Sequence, residues 1–200
     1  MNQAIDMLMH EHRVIEKVLE ALLAFTDRLE QGGQGERATL SEFAEFFRNF
    51  ADKCHHGKEE DKLFVEMIRH GFPKEQGPLA VMYREHDQGR QHVRALAELG
   101  GGAGALTAED IASAARHARD FAALLSAHIM KEDTVLYPMS GRVLTPLDFE
   151  RLAGEFETFE KEVMGAGEHE RYHKLADLLI QRFGESETAV HADHGCCHHG

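Results

Sequence analysis

Two hundred residues, 42% hydrophobic and 28% charged, suffice for one buried core and a small appendage. The formal net charge of −13 excludes the basic footprint that nucleic acid needs and disfavours anionic membrane surfaces. No apolar run reaches bilayer length, no signal-peptide pattern opens the chain, and three cysteines form no disulfide framework, so a cytoplasmic protein is expected.

Periodicity predicts helices over 3–31, 40–70, 78–99, 108–137, 147–163 and 168–183, with no strand-like alternation. Gly32-Gly33, Gly71-Phe72-Pro73, Gly77-Pro78 and the glycine-rich run 100–104 separate the first four. Thr39-x-x-Glu42 and Thr107-x-x-Asp110 have capping-box spacing, and Thr145-Pro146 places an N-cap before a first-turn proline. Four long helices on short loops predict an all-α fold, an antiparallel up-down-up-down four-helix bundle over residues 1–142. One or two extra helices form an extension over 143–184. The His- and Cys-rich tail 185–200, ending "HADHGCCHHG", is expected to be disordered; its clustered His and Cys suit a soft or borderline metal, or have only incidental affinity.

The core stripes carry an anomaly. Ile5, Leu8, His12, Ile15, Leu19 and Leu22 recur at spacings of three and four, and Leu79, Met82, His86, Gly89, Val93 and Leu96 repeat those offsets. In each stripe one core position is a histidine preceded by glutamate. The fourth helix continues the theme with Ala114, Ala118, Phe121, Leu125, His128, Glu132 and Val135. Phe43, Phe46, Phe47, Phe50 and Phe64 supply the packing of the second.

"HHGKEEDKLF" at 55–64 and "HIMKEDTVLYP" at 128–138 share the pattern His-x-x-Lys-Glu-acid-x-x-Leu-aromatic. Each follows its core histidine at a similar distance, His12 to His55 and His86 to His128, as a repeated helix hairpin would. Residues four apart share a helix face, so His55 with Glu59 and His128 with Glu132 point inward. Buried imidazoles and carboxylates cost several kcal/mol each unless paired or coordinated. Four histidines and two glutamates meeting at mid-height offset that cost by holding two divalent ions, with Glu59 and Glu132 as bridges. Such ligation suits iron, with manganese or zinc as substitutes. Glu60 and Asp133, about 100° off the ligand face, are expected outside the ligand set.

On these motifs, from residue 3 to 140, the chain resembles the hemerythrin-like HHE cation-binding family. The resemblance implies a non-haem di-iron centre in a four-helix bundle, with His12, His55, Glu59, His86, His128 and Glu132 as ligands. Oxygen-carrying hemerythrins have a further histidine one turn after the third-helix ligand; here that position is Arg90, and His92 lies on another face. The pattern is thus closer to four-His, two-Glu members, similar to iron–sulfur-cluster repair proteins and to sensing domains, which counts against simple oxygen carriage. The expected function is to bind or react with O2, NO or peroxide, in sensing, detoxification or stress response. Iron storage or donation, or iron–sulfur-cluster repair, is the alternative. A third reading, a zinc metalloprotease, rests on His169-Glu170-x-x-His173, which has H-E-x-x-H spacing but no clear third ligand.

Overall fold

The computed structural model describes residues 2–33, 36–165 and 167–184. The tail 185–200 lies outside the described residues. Six helices account for nearly all the rest, and no strand occurs among the described residues. Helix α1 (Gln3–Glu30) is capped by the Asn2 side chain, which accepts from Ile5 N–H at 3.1 Å. Helix α2 runs unbroken through residues 37–69, and α3 spans Gly77–Gly100. Helix α4 covers 108–143, α5 covers 146–164, and α6 is Glu168–Phe183.

Two caps form as the sequence predicts. Thr107 with Asp110 and Thr145 with Asp148 make reciprocal capping boxes. The box at Thr39 does not form: α2 begins at Arg37 after Glu36, and Thr39 is buried inside the helix, accepting from Arg182 at 3.0 Å. Helix α4 also outruns its predicted end at 137, passing through Pro138 to Val143.

The reason lies in π-helical turns, which insert an extra residue into an α-helix and widen it locally. They occupy Phe47–His56 and Glu59–Leu63 in α2 and Glu132–Leu136 in α4. Phe64 N–H donates to Glu59 O, and Tyr137 N–H donates to Glu132 O, the same five-residue step after each glutamate. The wide turn before Pro138 accommodates its ring, so the helix continues. It also shifts the stripe: Val135, expected inside, is 47% exposed, and Leu136 is buried in its place.

Side-chain contacts pair the long helices. Phe25 of α1 packs against Phe43 of α2, and Arg119 of α4 donates to Asp27 of α1 at 2.9 Å. Arg37 of α2 donates to Leu99 O of α3 at 2.6 Å, and His92 of α3 lies against His117 of α4. The core has two apolar parts. One contains Phe25, Phe43, Phe46, Phe47 and Phe50; the other contains Leu8, Phe64, Met67, Leu79 and Phe156. Between them lies a polar level at His12, Glu59, His86 and Glu132, all buried. Helices α5 and α6 lie over α1 and α2, with Arg151 joined to Glu66 at 2.9 Å and Phe183 edge-on to Phe25.

Gly57 lets α5 approach the polar level, since a Cβ there would stand 2.7 Å from the Phe159 ring. Gly57→Val should therefore force α5 outward and cost about 1–3 kcal/mol in urea unfolding. Gly154→Ala, where nothing lies within 4 Å of the added carbon, should be neutral or stabilising by up to about 1 kcal/mol. Equal unfolding midpoints for Gly57→Val and wild type would show that α5 does not seat on α2 at this point.

Candidate metal centre

The repeated motif resolves letter by letter into a buried cluster. His55 and His128 turn their Nε2 atoms toward the glutamates four residues on, at 3.7 Å from Glu59 Oε2 and 3.2 Å from Glu132 Oε1. His12 Nε2 stands 3.2 Å from Glu132 Oε2, and His86 Nε2 stands 3.5 Å from Glu59 Oε2. All six sequence-predicted residues are brought together, each no more than 2% exposed.

The opposite ring nitrogen of each histidine is held by a carboxylate on a neighbouring helix. His12 Nδ1 donates to Asp133 at 2.8 Å, and His128 Nδ1 donates to Glu85 at 3.0 Å. His86 Nδ1 donates to Glu60 at 2.6 Å, and His55 Nδ1 donates to Glu11 at 2.9 Å. Pinning the proton on Nδ1 leaves the Nε2 lone pair facing inward, the arrangement that orients histidine toward a metal. The acids that follow each motif glutamate thus support the cluster from outside, as their off-face spacing implies. The motif lysines brace two of the holders: Lys58 donates to Glu11, and Lys131 donates to Glu85.

Sequence reasoning missed a fifth imidazole. His56 is buried beside His55, stacked on His86 with ring centres 3.8 Å apart. Adjacent residues of an ordinary helix diverge by about 100°, but both lie within the widened turn, where each reaches the interior. The doubled histidine in "HHGKEE" was the available signal. Ligand-capable atoms of His12, His55, Glu59 and Glu132 lie within 4.8 Å of one another, as do those of His56, Glu59, His86 and His128. Glu59 belongs to both groups. Tyr137 stacks on His12, and its hydroxyl donates to Glu59 Oε1 at 2.8 Å.

Arg90 does not reach the cluster directly. It donates to Glu60 and Asp52, each at 2.8 Å, and so fixes the carboxylate that holds His86. Glu170 is exposed, and the cluster that includes His169 contains Glu11, Cys54 and Glu160 rather than His173. His169 and His173 lie side by side with ring centres 4.6 Å apart, but no third metal-ligating group joins that pair among the described residues, and the ammonium of Lys58 bridges Glu11 and Glu160 beside His169.

Charge is unevenly distributed over the cluster. Burial, reinforced by Glu132, pushes the Glu59 carboxyl well above the usual range. Burial acts the same way on Glu132, but His128 and His12 outweigh it and hold that carboxyl well below. Burial opposes charge on His12, yet Asp133 and Glu132 raise it to about 9; burial and the charge on His12 press His55 down to about 3. Protons answer only part of the charge. His55 Nε2, Glu59 Oε2 and both Glu132 oxygens are buried with no hydrogen-bond partner among the described residues. Orphaned acceptors aimed at one another are what a cation would satisfy. Ligands at ~2.1 Å from one ion stand no more than ~4.2 Å apart, so small movements would close either group. The residues fit metal.

Over residues 3–140 the chain matches the hemerythrin HHE cation binding domain, and it belongs to that family. Relatives in Mycobacterium bovis and Mycobacterium tuberculosis, described only as uncharacterized proteins, are 30% identical over 176 residues. The match covers 86% of this chain and 67% of each relative. No solved structure matches. The protein is thus a hemerythrin-like cation-binding domain with His/Glu clusters able to hold metal. No helix among the described residues is long and apolar enough to cross a membrane.

Lys58 has no solvent exposure and carries its charge between two carboxylates. Lys58→Met should leave Glu11 and Glu160 without their buried cation and cost about 3 kcal/mol in thermal or denaturant unfolding. Because Glu11 would lose its brace on His55, metal retention in a chelator should fall in parallel. A variant that melts with wild type and keeps its metal would remove Lys58 from this role.

Proposed function

We propose that this chain is a di-iron protein of the hemerythrin-like type, an up-down-up-down bundle that reacts with O2, NO or peroxide. The observation that carries the reading is the convergence of four unpartnered buried atoms among five imidazoles and two carboxylates. In this reading His12 and His55 would hold one ion, and His56, His86 and His128 would hold the other. Glu59, common to both groups, and Glu132 would supply the carboxylates shared between them. Manganese or zinc could occupy the same donors, but mixed imidazole and carboxylate ligation favours iron. Bound iron would supply reversible one-electron chemistry and a position for a small ligand.

The chain's own groups favour turnover over storage of such a ligand. Tyr137 is kept protonated, its pKa driven well above the phenol range by burial and by Glu59, so its hydroxyl is a lasting donor beside the centre. The carboxylates on Nδ1 hold each of these histidines with Nε2 toward the centre, the orientation a bound metal would use. A largely apolar cavity reaches His56, His86 and His128 from outside, which admits an uncharged diatomic more readily than a hydrated cation. That feature favours ligand chemistry over iron donation.

Protein from iron-supplemented expression should contain close to two iron ions per chain, with tail-deleted protein assayed in parallel. His128→Ala should lower both iron content and melting temperature, because metal bound to the native state stabilises it. A preparation holding one zinc and refusing iron would sink the di-iron reading.

Reactivity is checked by stopped-flow absorption after mixing the ferrous protein with oxygenated buffer or with peroxide. Conversion to the ferric form within minutes, with added peroxide consumed, is the expected result. A stable oxygenated spectrum that bleaches under argon would instead establish carriage. Ready transfer of iron to an apo-acceptor, with no consumption of peroxide, would establish iron handling.

A further inference from the structure

The cavity that touches His56, His86 and His128 is larger than a diatomic needs. Its volume is about 250 Å³, whereas one water occupies ~30 Å³ and a cavity of ~150 Å³ holds benzene. It runs between α2, α3 and α4, away from the polar level. From His86 to Arg94 on α3 is eight residues, about 12 Å of helix. Phe47, Ala51, Val93, Phe121 and Leu125 make its walls apolar. Gly89 keeps it open, since a Cβ there would already touch the Phe121 ring at 3.4 Å.

The polar groups on its lining are unevenly matched. Asp52 is paired with Arg90, and Glu85 is paired with Lys131, so neither carboxylate is left to repel an anion. Arg48 and Arg94 also line the cavity, are exposed, and have no ion pair among the described residues. Two unpaired guanidiniums at an apolar cavity stand out in a chain of net charge −13.

We infer that this cavity binds a medium-chain apolar monocarboxylate, its carboxylate between Arg48 and Arg94 and its apolar body extending toward His56, His86 and His128. The inference deepens the proposed function, because its inner wall is part of the proposed centre. Guanidinium pairs well with carboxylate, and each methylene leaving water for the cavity adds affinity. The head is anchored away from the centre, so binding is set by the arginines and the cavity's length.

The probe is octanoate, titrated by calorimetry into the full-length, iron-loaded chain, with octanamide as the uncharged control. Saturable 1:1 binding is expected, weakening about three- to fourfold for each methylene removed down to butanoate. Arg48→Glu and Arg94→Glu should each weaken octanoate about fivefold and leave octanamide unchanged. Gly89→Leu should abolish binding of both probes while iron content stays at the wild-type value. Absence of saturable binding to iron-loaded protein overturns the inference alone. Binding that ignores both charge reversals overturns it too, since the carboxylate would then be held elsewhere. Iron is measured on the same samples: octanoate binding with the expected arginine and chain-length dependence, in protein that refuses iron, supports the cavity and defeats only the di-iron reading.

Discussion

Glu59 and Glu132 are fully buried among imidazoles at mid-bundle, and two buried carboxylates so placed cost several kcal/mol each unless cations and donors answer them. The surrounding structure answers that charge in layers. Imidazoles form the nearest layer, with the Tyr137 hydroxyl on Glu59. Carboxylates on neighbouring helices then fix the imidazoles, and Lys58, Lys131, Arg13 and Arg90 neutralise those carboxylates in turn. Apolar clusters above and below keep water from the polar level. These layers leave unanswered a set of inward-facing lone pairs, and that remainder is the basis for metal.

The hairpin repeat gives the centre near-symmetry, and its departures from symmetry assign the two sides different work. Phe64 stacks on His86 as Tyr137 stacks on His12, so at this motif position the phenol stands on the His12 side alone. His56 is matched in the second copy by Ile129, which puts the fifth imidazole on the other side. Lys58 is sealed by α5 and α6 with Glu160 and His169 nearby, whereas Lys131 is 35% exposed. The extension therefore closes one flank, and the cavity opens the other. The Tyr137 hydroxyl lies with His12 and Glu59, whereas the cavity meets the cluster at His56, His86 and His128.

Much of this was legible in the sequence. Stripe periodicity placed the helices, and the repeat picked out six residues that the fold brings together. The failures share a cause. Helical-wheel reasoning assumes a constant turn, and each π turn rotates all later positions of its helix by about 100°. That shift turned Val135 outward, carried α4 past Pro138 and let His55 and His56 both face in. The outer carboxylates Glu11 and Glu85 were visible as the residue before each core histidine. Their partners were not, because each supports a histidine on another helix rather than its own neighbour. The burial of Lys58 was not legible, because the sequence does not say that α5 and α6 fold over it.

Four of those supports close into a loop around the bundle. His12 of α1 is held from α4, His128 of α4 from α3, His86 of α3 from α2, and His55 of α2 from α1. Each helix thus gives one carboxylate and takes one. Apolar stripes alone allow a helix to slip along its neighbour by one turn, about 5.4 Å, and find another run of leucines to pack against. Here such a slip would break two hydrogen bonds on the sliding helix and leave two buried imidazoles without their carboxylates. The loop acts as a mechanical register lock. It sets the heights of four helices relative to one another before any ion enters, and it ties the alignment of the whole bundle to the same side chains that shape its centre.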